Sequence, residues 1–446
     1  MMSLSEAARV LGGRVSGAEA SFRGVSTDTR SVRAADLFVA LRGERFDGHS
    51  FLQAAAAASA AAALVDRKYA GEFPLPVAIV EDTRLALGEL ARHWRARFAP
   101  ALIAVTGSNG KTTVKEMLAA ILRAHAGEAA VLATSGNLNN DIGVPLTLLR
   151  MRQEHRWCAI ELGMNHRGEI AHLAAIARPT VALVNNAQRE HLEFMRSVEE
   201  VAAENASVFG ALPADGVAVV NADDPQAGLF RARAGSRRVV DFGVEQRDAR
   251  ISADYRLRAL SSDILLNTPA GSAQATLAIP GLHNVRNALA AAAGAFAAGV
   301  APPAIGAGLT AFRPYTGRLQ VKQARGGATL IDDTYNANPD SVRAAIDVLA
   351  ASPGPTVLVL GDMGEVGEHG RDFHREVGAY ASSRGISSLC ALGEATRHAV
   401  EAFGPGARHF DRVEDLVAGV AGNSILVKGS RFMKMERVVA ALTGGH

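Results

Sequence analysis

The stretch VTGSNGKTTVKE, Val105 to Glu116, decides how the rest of the chain is read. It ends in Gly-Lys-Thr, as a phosphate-binding loop does. The usual G-x-x-x-x-G-K-[ST] spacing would put its first glycine at position 105, where Val105 stands, and Gly107 comes two residues later. Downstream, Val114, Met117, Leu118, Ile121 and Leu122 recur at helical i, i+3, i+4 intervals, and upstream ALIAV is an apolar strand. The segment is therefore strand, glycine turn, helix. Gly107 and Gly110 let the backbone turn sharply and aim amides at a helix N-terminus that already favours anions. Lys111 can then reach β- and γ-phosphates, and the Thr112 hydroxyl can ligate magnesium. The plainer alternative, a glycine turn with a surface lysine, is weighed down by that flanking strand and helix.

Parallel sheets bind ligands at the carboxyl ends of their strands, so partners of this loop are sought at the ends of neighbouring apolar runs. WCAIELG (157–163) ends in Glu161, an acid at the tip of an otherwise apolar strand. TVALVNNAQREH (180–191) gives a strand, two asparagines and then His191 in the following loop. Alone, a strand-end acid is often a solvated edge residue and a loop histidine is usually nothing. Beside the loop, Glu161 and His191 are expected to be magnesium ligands together with Thr112.

Composition narrows the field further. Lys plus Arg number 47 and Asp plus Glu 45, with no basic stripe or polybasic tail, so nothing favours nucleic acid or an anionic membrane and anion recognition is local. The longest apolar run, AAAAASAAAALV, is shorter than the ~20 residues a membrane span needs. The N-terminus lacks the layout of a secretory signal, and Cys158 and Cys390 read as buried strand residues of a reduced protein. The expectation is a cytoplasmic protein without membrane insertion.

At 446 residues the chain is long enough for about two to four domains. Strand-like runs alternate with helical stretches, the pattern of an α/β protein with mostly parallel sheets. Three blocks are expected. Residues 1–99 end at Pro100 after a helix, 100–312 run from the strand ALIAV past the breaker APP, and 313–446 carry ATLIDDTY, TVLVLGDMG, SSLCALG and SILVKGS.

These residues resemble the Mur ligases, ATP-dependent amide-forming enzymes of peptidoglycan precursor synthesis, and the likeness covers essentially the whole chain. It implies an N-terminal UDP-binding α/β module, a central phosphate-loop ATPase with a mostly parallel sheet and a C-terminal Rossmann-like domain. TGSNGKTT is similar to the family's relaxed phosphate loop, which implies ATP contacts from Gly107, Ser108, Asn109, Gly110, Lys111, Thr112 and Thr113. GLHNVRNALAAAA (281–293) resembles the adenine-side motif, implying Asn284 and Asn287. YTGR would place Arg318 at the phosphates, and DDTYNANP would place Asp333 at the ribose and the domain junction.

Four further stretches, 134–149, 333–341, 360–374 and 427–436, resemble the family member that adds D-alanyl-D-alanine. The D-N-P-R type motif expected of the diaminopimelate-adding sister is missing. The implied small-molecule substrates are UDP-MurNAc-tripeptide, whose carboxylate is activated by ATP with Mg2+, and D-Ala-D-Ala, whose amine attacks. VSTDTRSVRAADLFVALRGERFDGHSF (25–51) is similar to the UDP-binding module, implying contacts from Ser26, Thr27, Asp28, Arg30, Gly48 and His49, although Ser-Thr-Asp-Thr is also ordinary turn chemistry. Asn137, Asn139 and Asn140 suit sugar and pyrophosphate oxygens, or could be turn residues. Asn336, Asn338, Lys428 and Arg431 at strand ends of the third block suit the dipeptide, or could be helix caps and solvated residues. Lys111, Glu161 and His191 are the expected catalytic set. The protein is expected to work as a monomer whose third block closes onto the ATP.

One departure stands out. The family usually carries, beyond the histidine, a lysine that as a carbamate helps hold a second magnesium. HLEFMRSVEEVAAENASVF (191–209) has none, and Asn205 occupies the place. Asn205 or Glu204 could ligate or position the metal, or His191 and substrate oxygens could suffice.

Overall fold

The computed structural model describes residues 1–44, 46–190 and 193–444. Three large sheets follow one another along the chain. The first comprises β1 (Arg14–Ser16), β2 (Gly24–Ser26), β3 (Asp36–Val39), β4 (Ala62–Asp66) and β5 (Val77–Val80) in the order β1-β5-β4-β3-β2, parallel except for β1. Helix α1 (Thr83–Arg95) follows it. The Asp82 carboxylate caps its start by accepting the amides of Arg84 and Leu85. Its buried stripe of Leu87, Leu90, Ala91 and Trp94 joins a core shared with the second block. Trp94 donates to the Met151 carbonyl (3.0 Å), which fixes the two blocks side by side.

The second sheet is parallel throughout: β6 (Ala101–Thr106), β7 (Val131–Ala133), β8 (Trp157–Glu161), β9 (Val181–Val184), β10 (Val217–Asn221) and β11 (Arg238–Phe242), in the order β11-β10-β9-β6-β8-β7. Helices cover both faces, which is why its strands read as unbroken apolar runs. The helices that matter for the site are α2 (Lys111–Ala126), α3 (Glu169–Ala177), α4 (Val198–Ala206) and α5 (Leu282–Ala297). Between Ser252 and Leu277 the chain adds an antiparallel sheet of three strands. The alanines of α5, fully buried from Ala290 to Ala293, let this helix lie close against the core of the second block.

In the third block β12 (Gln320–Gln323), β13 (Thr329–Asp333), β14 (Thr356–Gly361), β15 (Ser388–Leu392), β16 (Ala407–Phe410) and β17 (Ser424–Lys428) take the order β12-β13-β17-β14-β15-β16, with only β12 antiparallel. Helices α6 (Pro339–Ala350) and α7 (Gly370–Ser383) pack together on the side facing the second block. Cys158 and Cys390 are buried and unpaired, and desolvation pushes the Cys158 thiol up to about 12. Among the described residues no helix is long and apolar enough to cross a membrane.

Candidate active site

Val105 stands where a glycine is usual because it is still inside the sheet. It lies in β6, fully buried, opposite Glu161 of β8 and Leu183 of β9. The turn begins only at Gly107, whose φ of +131° suits glycine alone, and ends at Gly110 (φ +82°), where a Cβ would fall 2.3 Å from the Asn287 Oδ1. Lys111 opens α2 with its ammonium folded over the loop, donating to the carbonyls of Gly107 (2.7 Å) and Ser108 (2.9 Å) and lying 3.3 Å from the Glu190 carboxylate.

Glu161 is the buried acid of the site, 1% exposed at the end of β8. Its Oε1 accepts from the Thr112 hydroxyl (3.1 Å) and the Asn139 amide (2.8 Å), while its Oε2, equally buried, has no partner among the described residues. A buried carboxylate oxygen without a donor is costly unless a cation completes it. With the Thr112 hydroxyl beside it, this is a set of hard oxygen donors of the kind magnesium takes. His191, expected from the sequence as a further ligand, lies outside the described residues.

The alternatives raised by the missing lysine are reduced by the geometry. Asn205 is fully buried, its Oδ1 accepting from the Thr106 hydroxyl (2.7 Å) and its amide donating to the Val201 carbonyl (3.0 Å). Glu204 accepts the amides of Gly168 and Ile170, both at 2.9 Å, and so caps α3. Both side chains thus have structural duties, Asn205 toward β6 and α4 and Glu204 toward the start of α3.

A cavity of about 420 Å³ opens beside the loop, lined by Gly110, Thr113, His283, Asn284, Asn287, Arg318 and Asp333 among others. Asn287 donates to the Asn284 Oδ1 (3.0 Å), and Asn284 in turn donates to His283 Nε2 (3.0 Å) and the Pro280 carbonyl (2.7 Å). Burial pushes the His283 imidazole down to about 4, so it is neutral near pH 7. Asn185 and Asn186 were left without a role by the sequence, yet they shape the loop. Asn185 donates to the Asn109 carbonyl (2.7 Å) and the Asn287 Oδ1 (2.9 Å), and Asn186 accepts the Asn109 amide (2.8 Å). Their signal was the pair of amides directly after a strand next to β6.

A second cavity of about 730 Å³ runs from Lys111, Thr112 and Glu161 to Arg84 of the first block and Asn336 and Arg431 of the third. Arg318 reaches to 3.5 Å from the Thr112 hydroxyl and stacks on Tyr335 (3.9 Å), a partner the sequence did not flag. Several expected substrate contacts have structural duties. Lys428 is 3% exposed and donates to the Asp333 carboxylate (2.6 Å) and the Asn336 carbonyl (2.9 Å), so it is not an uncommitted cation. Asp333 also accepts the Leu319 amide (3.2 Å). Asn338 caps α6 in a reciprocal box with Ser341, and Asn140 accepts the Gly143 amide (2.9 Å) at the start of another helix. The Asn336 Oδ1 accepts the Ala337 amide (2.9 Å), Asn137 is exposed, and Arg431 is exposed with Glu436 as partner (3.0 Å).

In the first block the Ser26–Arg30 turn is bonded to itself. Ser26 donates to the Asp28 carbonyl (3.0 Å), and Arg30 pairs with the Asp28 carboxylate (2.6 Å), which holds that carboxyl down to about 2. Thr27 is half-buried between them. Gly48 is required by the backbone, because a Cβ there would sit 2.6 Å from the Leu41 carbonyl oxygen. The His49 ring is committed within the block. The ring is 2% exposed, its Nε2 accepts the Asp66 amide (3.0 Å), and its Nδ1 donates to Asp47 (2.5 Å).

A phosphate loop, a buried acid with one oxygen unmet and a cavity walled by three successive α/β blocks define a nucleotide-dependent multidomain enzyme. The sequence patterns of the Mur ligase family, catalytic domain, the Mur ligase middle domain and the Mur ligase glutamate ligase domain match residues 21–95, 105–295 and 317–431. The chain belongs to the Mur ligase family. It is 43% identical to the UDP-N-acetylmuramoyl-tripeptide–D-alanyl-D-alanine ligase of Escherichia coli K12, over 99% of this chain and 98% of that one. The ligase of the same name from Bacillus subtilis is 36% identical over 94% of this chain and 93% of its own. Among solved structures, MurF from Acinetobacter baumannii superposes with a TM-score of 0.91 at 34% identity, covering 99% of both chains. MurF from Thermotoga maritima in complex with ADP gives 0.81 at 26% identity, covering 95% of this chain and 97% of that one.

Proposed function

We propose that this chain joins D-alanyl-D-alanine to UDP-N-acetylmuramoyl-tripeptide with cleavage of ATP to ADP and phosphate, giving the UDP-MurNAc-pentapeptide in the cytoplasm, and that it acts as a monomer. The observation that carries the reading is the cavity in which Glu161, with its unmet oxygen, lies beside the phosphate loop and opens toward both outer blocks. A carboxylate is a poor electrophile because its charge repels an incoming amine. Its attack on the γ-phosphorus breaks the bond to ADP and makes an acyl phosphate. The dipeptide nitrogen then bonds to the carbonyl carbon, the adduct expels phosphate together with one former carboxylate oxygen, and the amine proton passes to solvent.

In this scheme the amides of Gly107 to Gly110 and the Lys111 ammonium receive the ATP phosphates. Thr112 and Glu161 would hold magnesium, which when bound supplies positive charge where phosphate and carboxylate oxygens meet. Asn284 and Asn287 wall the adenine side, and Arg318 leans over the phosphates from the junction with the third block. Arg431, an exposed cation of that block paired with Glu436, is suited to the dipeptide carboxylate. No covalent nucleophile is needed, since positioning and charge neutralisation carry the reaction.

The test is phosphate release with UDP-MurNAc-tripeptide and a panel of D-Ala-D-Ala, diaminopimelate and glutamate. Release with D-Ala-D-Ala alone supports the proposal. Release with another amine, or with none, removes it.

A further inference from the structure

We infer that Arg189 is a positioning residue for this reaction, docking the third block onto the phosphate loop through Asp340 and Glu376. The inference rests on the ligase reading above. Arg189 lies on the loop after β9, and its guanidinium is shared between two carboxylates of the neighbouring block. It meets Asp340 in the first turn of α6 at 2.6 Å and Glu376 of α7 at 2.7 Å. The Arg189 backbone amide also donates to Asp340 (3.0 Å), and the guanidinium stacks over Phe373 of α7 (5.3 Å). A planar fork saturated by two carboxylates fixes orientation in a way a single point charge cannot.

The residues on either side of Arg189 hold the phosphate loop. The Gln188 amide donates to Ser108 Oγ (2.9 Å), its side-chain oxygen accepts from Asn109 (2.6 Å), and the Glu190 carboxylate lies 3.3 Å from the Lys111 ammonium. The same boundary is crossed again where Asn338, the cap of α6, donates to the Asn109 Oδ1 (2.9 Å). Residues 188–190 therefore join the loop expected to hold ATP to the helix that begins beside the dipeptide side of the cavity. Arg189 and Asp340 also border the 420 Å³ cavity, but neither belongs to the loop, so loss of Arg189 should spare the loop amides and Lys111 and let the third block, with Arg431 and Asn336, drift from the acyl carbon.

The experiment is a double-mutant cycle on Arg189→Ala and Asp340→Ala, reading KM for D-Ala-D-Ala and for ATP separately. Each single variant is expected to lower kcat/KM for the dipeptide roughly ten-fold or more, mostly through KM, with KM for ATP little changed. The double variant should be no worse than the poorer single one. Additive losses, equal losses for both substrates, or no loss would overturn the inference. Wild-type silence with every amine would count against the ligase reading, and small-angle scattering would then decide this one. A larger radius of gyration for both single variants than for wild type supports the docking role, and identical radii overturn it.

Discussion

Replacing Lys428 by methionine should unmake the junction between β13 and β17 at the edge of the site. The two strands run parallel with Asp333 opposite Lys428, and the carboxylate and ammonium meet at 2.6 Å with side chains 12% and 4% exposed. Methionine fills much of the same space but leaves the Asp333 carboxylate with the Leu319 amide and no cation. Breaking one side of a buried pair costs about 3–5 kcal/mol, because the remaining charge is desolvated without compensation. At roughly 4 °C per kcal/mol for a unit the size of the third block, that unit's thermal transition should fall by roughly 10–20 °C. Calorimetry on Lys428→Met, and on the pair Lys428→Met with Asp333→Asn, is the assay. The paired variant removes both charges and should recover most of the loss. A single-variant cost below about 1 kcal/mol, the value of an exposed pair, would refute the reasoning. So would a paired variant less stable than the single one.

Glu161→Gln keeps an oxygen for Thr112 and Asn139 but removes the charge. Turnover should fall by roughly 10²–10³ with a higher magnesium requirement, and unchanged magnesium titrations of phosphate release would speak against the assignment. Asn205→Ala strands the buried Thr106 hydroxyl and should cost about 1–3 kcal/mol in urea denaturation without altering magnesium dependence. His283 titrates near 6.5 when unfolded and about 4 when buried, so the unfolded chain binds the extra proton first and this group removes stability as pH falls from 6.5 to 4. Wild type should therefore lose more thermal stability on acidification than His283→Asn. Parallel curves would contradict that.

Much of this architecture was legible because local sequence and global fold agree. The apolar runs at 101–106, 157–161 and 181–184 are buried on both faces, so they read as unbroken strands, and the helical spacing after Lys111 is the buried stripe of α2. Glu161 was legible for the same reason, being the only charge on a strand otherwise apolar. Partnerships formed by the fold were not. Lys428 and Asp333 are 95 residues apart in the chain, and nothing in VKGS distinguishes a cation aimed at substrate from one spent on a neighbouring strand. His49 was expected at a ligand only through the family likeness, and only the tertiary approach of Asp66 shows that its ring is committed. Asn338 illustrates both sides, since N-A-N-P before a helix signals a cap, while its bond to Asn109, 229 residues away, carries no local mark. Asn205 was visible as a departure from the family, but its duty toward Thr106 depends on α4 lying against the end of β6.

The central claim is that this chain activates a carboxylate by phosphorylation, and oxygen transfer tests it most directly. UDP-MurNAc-tripeptide labelled with ¹⁸O in the reacting carboxylate is turned over with ATP and D-Ala-D-Ala, and the released phosphate is analysed by mass spectrometry. One labelled oxygen is expected in phosphate for each amide bond formed. Amide formation with unlabelled phosphate would contradict it.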